Sequence, residues 1–126
     1  MLLIDANIVL RYILGDNKEL ALKAKEIIDD NDVEMPVEVL GEVVYVLKCV
    51  YKINKKTIYS KLLYFFENTE CKIPHKNSVL CGLKHYASTN LDFVDCILAG
   101  YCEIENKEIA TFDVDLQKLI TRITGL

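Results

Sequence analysis

The sequence predicts an α/β fold with a short, mostly parallel central sheet flanked by helices, and three observations lead there. Brief apolar runs at residues 1–4, 33–35, 71–73 and 109–112 are too short for helices and read as strands. Between them lie longer stretches whose apolar residues recur every three or four positions, the mark of amphipathic helices. Strands that alternate with helices imply parallel neighbours, right-handed crossovers and helices on both faces of the sheet.

Taken in order, residues 1–4 are expected to form a buried strand that ends at Asp5. A short helix over 7–14 follows and is closed by Gly15-Asp16-Asn17; a second, over 18–30, buries Leu20, Ala24, Ile27 and Ile28. After the strand at 33–35, Pro36 stands where a helix can begin, because the first turn needs no N–H from it. That helix is expected to run to about Tyr51 with Leu40, Val43, Val44, Leu47 and Val50 facing the core. Asn54 or Lys55 starts the next helix, through Ile58, Leu62, Leu63, Phe65 and Phe66, before the strand at 71–73 that Pro74 closes. Helices over 76–88 and 93–105 flank Asn90-Leu91-Asp92, and a fourth strand at 109–112 leads to a last helix capped by Asp115.

With 126 residues the chain is expected to form one domain over 1–126, large enough for a core of its own. Hydrophobic residues make up 52% of it and the mean hydropathy is +0.18, an apolar excess that predicts self-association as a homodimer. The formal charge of −4 excludes a generally polyanion-binding surface and leaves room for local basic patches. Cys49, Cys71, Cys81, Cys96 and Cys102 are odd in number and lack any C-x-x-C pair, so they read as reduced core residues of a cytoplasmic protein. Nothing marks secretion or membrane insertion. His75 and His85 read as surface or hydrogen-bonded side chains, not as catalysts.

Four carboxylates stand where an apolar or simple turn residue is more usual. Asp5 and Asp113 each follow a strand, and in open α/β sheets ligands gather beyond the carboxyl ends of strands. Glu42 lies inside an apolar helix, where an ionised glutamate implies a cation, a hydrogen-bonding partner or a raised pKa. Asp95 follows Asp92, which reads as a helix N-cap; an acid three residues on also suits the helix dipole, so Asp95 by itself is open to that simpler account. Together the four suggest a metal-dependent nuclease. A hard cation such as Mg²⁺ or Mn²⁺ takes oxygen ligands, polarises a scissile phosphate and lowers the pKa of a bound water. Between Val43 and Phe66, Lys48, Lys52, Lys55, Lys56 and Lys61 interleave with tyrosines and no acid. The pattern suits a single-stranded nucleic acid, although an ordinary solvated helix face is the commoner source of such a pattern.

These motifs resemble the PIN-domain ribonucleases, especially the VapC toxins of bacterial and archaeal toxin–antitoxin pairs. Met1-Leu2-Leu3-Ile4-Asp5-Ala6-Asn7 is similar to the family's opening strand, Val39-Leu40-Gly41-Glu42-Val43 to its glutamate helix, and Leu91-Asp92-Phe93-Val94-Asp95 and Ile109-Ala110-Thr111-Phe112-Asp113 to its later aspartate motifs. Each is weak alone; four in order are specific. The resemblance implies a PIN-like three-layer sandwich. It also implies a metal-binding quartet of Asp5, Glu42, Asp95 and Asp113, with Asn7, Thr111, Asp92 and Asp115 in support. It further implies Mg²⁺ or Mn²⁺ as cofactor, RNA as substrate and a cognate antitoxin as partner. Ala6 departs from the threonine of many relatives, and no clear fifth strand follows Asp115.

Two other readings fit less well. Haloacid-dehalogenase-type phosphatases place an acid two positions after their nucleophilic aspartate, where Asn7 stands, and Asn7 cannot donate a proton. A receiver-like interaction domain needs an aspartate at the end of a middle strand, and none follows residues 71–73. An inactive scaffold is disfavoured because all four acids are present.

Overall fold

A computed structural model describes residues 1–125, which are mostly helical with a short parallel sheet, an α/β chain as the sequence predicts. The chain divides into two compact units, Met1–Pro74 and His75–Leu126. The first unit contains β1 (Leu2–Leu3), α1 (Ala6–Leu14), α2 (Lys18–Asp30), β2 (Val33–Glu34), α3 (Val37–Tyr45), a π-helical turn (Val46–Val50) and α4 (Lys55–Asn68). β1 and β2 pair in parallel with Leu2 opposite Val33 and Leu3 opposite Glu34. On the other side of β2, Lys72 forms a single parallel bridge with Glu34, so the strand expected at 71–73 is reduced to this one bridge.

Helix ends follow local chemistry. Asp5, Asn17 and Asn54 each accept a hydrogen bond from the N–H three residues on, satisfying a donor that the first turn leaves without a helical partner. Gly15 stops α1 in the left-handed region at φ 61, its N–H donating to the Arg11 carbonyl. The helix expected from Pro36 to about Tyr51 is present but changes pitch: α3 passes into the π-helical turn, and Lys52, at φ 57, takes the chain out of it. Val9, Met35, Leu40, Leu47, Leu62 and Phe65 are buried, and Tyr12 meets Phe65 edge-on at 5.3 Å.

The second unit holds α5 (Lys76–Ser88), α6 (Phe93–Glu105) and α7 (Val114–Thr124). α5 and α6 touch backbone to backbone. A Cβ on Gly100 would lie 2.1 Å from the Ser78 carbonyl oxygen, and one on Gly82 would lie 2.7 Å from that of Cys96. Val79, Leu83, Cys96 and Ala99 are buried along the pair, with Leu116 and Leu119 of α7. The buried hydroxyl of Ser78 donates to Glu105 Oε2 at 2.6 Å, and His75 Nδ1 lies 3.0 Å from the same oxygen. Both histidines are therefore hydrogen-bonded side chains, His85 through Glu103.

Several expectations need correction, beginning with Leu20 and Val50, which were expected in the core and are exposed. Residues 1–4 are not a buried strand: Ile4 is buried, but Leu2 and Leu3 are exposed because the two-residue β1 is paired with β2 on one edge only within its unit. Residues 109–112 form no strand among the described residues, and Phe112 is fully exposed; the other elements of their unit are helices, which offer no ladder to pair with. The last helix is capped by Asp113, not Asp115, and so begins two residues early. Of the cysteines read as core, Cys71, Cys96 and Cys102 are buried, whereas Cys49 is exposed and Cys81 half-buried.

Gly100→Ala should destabilise the protein by at least the ~1–3 kcal/mol typical of overpacking, because helix backbone, not a flexible side chain, blocks the new methyl. Gly15→Ala, which meets open space and only a left-handed φ, should cost less. Denaturant unfolding of the two variants checks the order. The Ser78 hydrogen bond is the main cause holding the Glu105 carboxyl below its ordinary 4.5, with burial opposing it and His75 adding to it. A depressed carboxyl stabilises the native state above the unfolded value and loses that contribution as pH falls through the folded one. Ser78→Ala should therefore lower the melting temperature at pH 7, with a gap from wild type that narrows below about pH 4.5.

Candidate active site

The predicted acids fall into two groups, one in each unit. In the first, Asp5, Asn7 and Glu42 line one cleft of about 230 Å³ together with Arg11 and Tyr51. Asp5 leaves β1 and caps α1, its Oδ1 accepting from the Ile8 N–H at 3.2 Å. Asn7 follows within the first turn and presents an amide to the same cleft.

Glu42 reaches the cleft from α3, and its surroundings differ from those expected. The stripe that α3 buries is Leu40, Val43, Val44 and, one turn on, Leu47. Glu42 lies off it, between exposed Glu38 and Tyr45, and is itself exposed. An apolar composition here does not make an apolar face. The glutamate meets water and has no desolvation cost to offset.

Sequence reasoning missed Arg11. Its guanidinium lies 3.7 Å from Asp16 Oδ1 and its side chain lines the acid cleft, placing a cation beside Asp5 and Glu42. The available signal was its spacing: Arg11 is one turn after Asn7 on α1 and so shares its face.

In the second unit, Asp92, Asp95 and Asp113 interact electrostatically. Asp92 caps α6, its Oδ1 accepting from the Asp95 N–H at 3.4 Å. Burial raises the Asp95 carboxyl above its ordinary 3.8, and the neighbouring Asp92 and then Asp113 raise it further. Asp113 caps α7, accepting from the Leu116 N–H at 2.9 Å. Thr111 supports it directly, since the Thr111 hydroxyl oxygen accepts from the Asp113 N–H at 3.0 Å while its carbonyl accepts from Gln117 Nε2. Asp115 stands apart from this group, in a groove of about 660 Å³ with Lys118 and Arg122.

Both groups offer oxygen donors alone, the set that hard divalent cations prefer. Lys48, Lys52 and Lys56 are exposed and Lys55 is half-buried, all in the unit that carries Glu42.

A family profile described as PIN domain matches residues 2–120 of the chain. Comparison with curated proteins and with solved structures returns no match.

Two substitutions separate capping from charge at Asp113. Asp113→Ala should cost about 0.5–2 kcal/mol through loss of the cap. Asp113→Asn should keep most of that stability, because an amide oxygen accepts the same N–H. Equal losses in urea unfolding would assign the contribution to charge instead.

Proposed function

The chain belongs to the PIN-domain family, whose members are generally nucleases and typically bind divalent metal ions, and from that membership we propose that it is a Mg²⁺- or Mn²⁺-dependent endoribonuclease. The observation that supports this most is the cleft shared by Asp5, Asn7 and Glu42. Asp5 and Glu42 would hold the cation, and Asp95 and Asp113 would complete the acid set as parts of one PIN domain, a reading that rests on the order of the motifs and the family match. When bound, the cation supplies a polarised phosphate and a water of lowered pKa.

The chain's own residues orient and position. Capping fixes the Asp5 and Asp113 carboxylates against helix termini, and Thr111 fixes the backbone of Asp113, so their direction is set before any ligand arrives. Asn7 supplies an uncharged donor beside Asp5, and Asp92 restrains the first turn of α6 that carries Asp95. Arg11, which lines the same cleft, would pair with a phosphate oxygen of the substrate. Lys48, Lys52, Lys55 and Lys56 would track the RNA backbone, with exposed Tyr45 and Tyr51 as stacking surfaces.

The same proposal makes the protein the toxin of a toxin–antitoxin pair, cytoplasmic and homodimeric. Exposed Val94, Phe112 and Val114 of the second unit support an apolar interface, and an odd number of cysteines without a C-x-x-C pair suits a reducing compartment. Among the described residues no helix is long and apolar enough to cross a membrane. The antitoxin would inhibit by setting a basic side chain against the acids.

Asp5→Asn, Glu42→Gln and Asp95→Asn should each abolish cleavage of total RNA while the protein stays folded, since each removes charge and little volume. Mn²⁺ at about 100 times its Kd should stabilise the wild type by roughly 2.7 kcal/mol. That rise should be absent from Asp5→Asn. Cleavage by any two of the three variants, or an equal metal-induced rise in Asp5→Asn, would overturn the assignment.

A further inference from the structure

Outside the acid groups, the helix pair of the second unit carries a different set of donor atoms. Cys81 and His85 lie one turn apart on α5, and Glu103 faces them from α6. Cys81 Sγ is 3.2 Å from Glu103 Oε2, and His85 Nε2 is 3.0 Å from Glu103 Oε1. One ligand atom from each of the three lies within 4.8 Å of the others. The helices reach this separation because Gly82 and Gly100 let their backbones touch, so the side chains are held by rigid elements and not by a loop. Cys81 is half-buried, the His85 side chain is 19% exposed and that of Glu103 42% exposed, which leaves one side of the cluster open to water.

We propose that Cys81, His85 and Glu103 form a second divalent-cation site, of the zinc class, separate from the all-oxygen acid groups. The donor set decides the metal. A thiolate and an imidazole beside one carboxylate select a borderline-soft ion, whereas Mg²⁺ and Mn²⁺ favour oxygen alone. A thiolate and a carboxylate together neutralise the two charges of the ion, which makes a half-buried site electrostatically balanced. Three protein ligands and a water complete a tetrahedron.

Without metal the trio is a hydrogen-bonded clamp in which the Cys81 thiol donates to Glu103. Burial first, and then the bond to Glu103, push that thiol up to about 12, so it keeps its proton. Metal entry breaks the Sγ–H bond, forms an Sγ–metal bond and releases the proton to solvent, with no change of oxidation state. The His85 Nε2–H bond that met Glu103 also breaks: that proton passes to solvent, the ring carries a proton on Nδ1, and the freed lone pair of Nε2 goes to the ion. The ion then replaces two hydrogen bonds between α5 and α6 with three coordinate bonds. It acts as a staple on the second unit and takes no part in hydrolysis.

The test uses the full chain, reduced and freed of metal by a chelator, with Co²⁺ as spectroscopic probe and Zn²⁺ as competitor. The expected result is a thiolate-to-cobalt charge-transfer band with the intense visible bands of four-coordinate cobalt, both removed by stoichiometric Zn²⁺. They should persist in Cys49→Ser, Asp5→Asn and Glu42→Gln and vanish in Cys81→Ser. His85→Gln and Glu103→Gln should weaken binding by at least the roughly 10–100-fold that loss of a ligand's outer partner costs. Zn²⁺ at about 100 times its Kd should multiply the folded-to-unfolded ratio about 100-fold, read as a higher melting temperature. Should Cys81→Ser fail to fold, Glu103→Gln, which keeps the thiol, carries the comparison. Cobalt bound without a charge-transfer band, a band that follows Cys49 instead of Cys81, or no binding at all would overturn the site.

Discussion

The hydrogen bond between a helix's own first-turn N–H and the aspartate that starts it is the constraint on which the acid groups depend. Asp5, Asp92 and Asp113 each commit one carboxylate oxygen to such a bond. The bond satisfies a donor that the helix leaves without a partner. A carboxylate held this way loses little further freedom when a ligand arrives. The same residue therefore serves the stability of its helix and the direction of its remaining oxygen. Glu42 and Asp95 are positioned differently, from within helices, and depend on which way those helices turn their buried faces.

In the second unit the contact at Gly82 and Gly100 sets everything else. Because no Cβ intervenes, α5 and α6 approach until main-chain atoms meet. Polar side chains from opposite helices then come within hydrogen-bond reach along the whole contact: Ser78 and His75 with Glu105 at one level, Cys81 and His85 with Glu103 at the next. A wider spacing, as larger residues would impose, would leave these groups to water. Two glycines thus convert an ordinary helix pair into a scaffold for a half-buried donor cluster.

Apolar surface follows from the shortness of the strands. A two-residue β1 buries little of Leu2 and Leu3, and the run at 109–112 carries Phe112 into full exposure. Composition alone showed the excess of apolar residues; the exposed positions show where it sits. Such residues lower solubility unless another surface covers them.

Much of this was legible in the sequence because it is set by near neighbours. Helix positions follow periodicity, and the ends of α1, α2 and α4 follow Gly15, Asn17 and Asn54, whose preferences act within one turn. The parallel pairing of residues near 2, 33 and 72 was also readable, since alternating elements permit few topologies. Tertiary structure alone decided the rest. Whether residues 109–112 pair depends on a strand being offered to them, which no local pattern encodes. Whether Glu42 is buried depends on where the stripe of α3 points, not on how apolar its neighbours are. Asp113 caps α7 in place of Asp115 because Thr111 supports its backbone from outside the helix. Cys81 and His85 show no metal-like spacing to Glu103 along the chain, because that proximity is made by two helices packing at a distance only glycine permits.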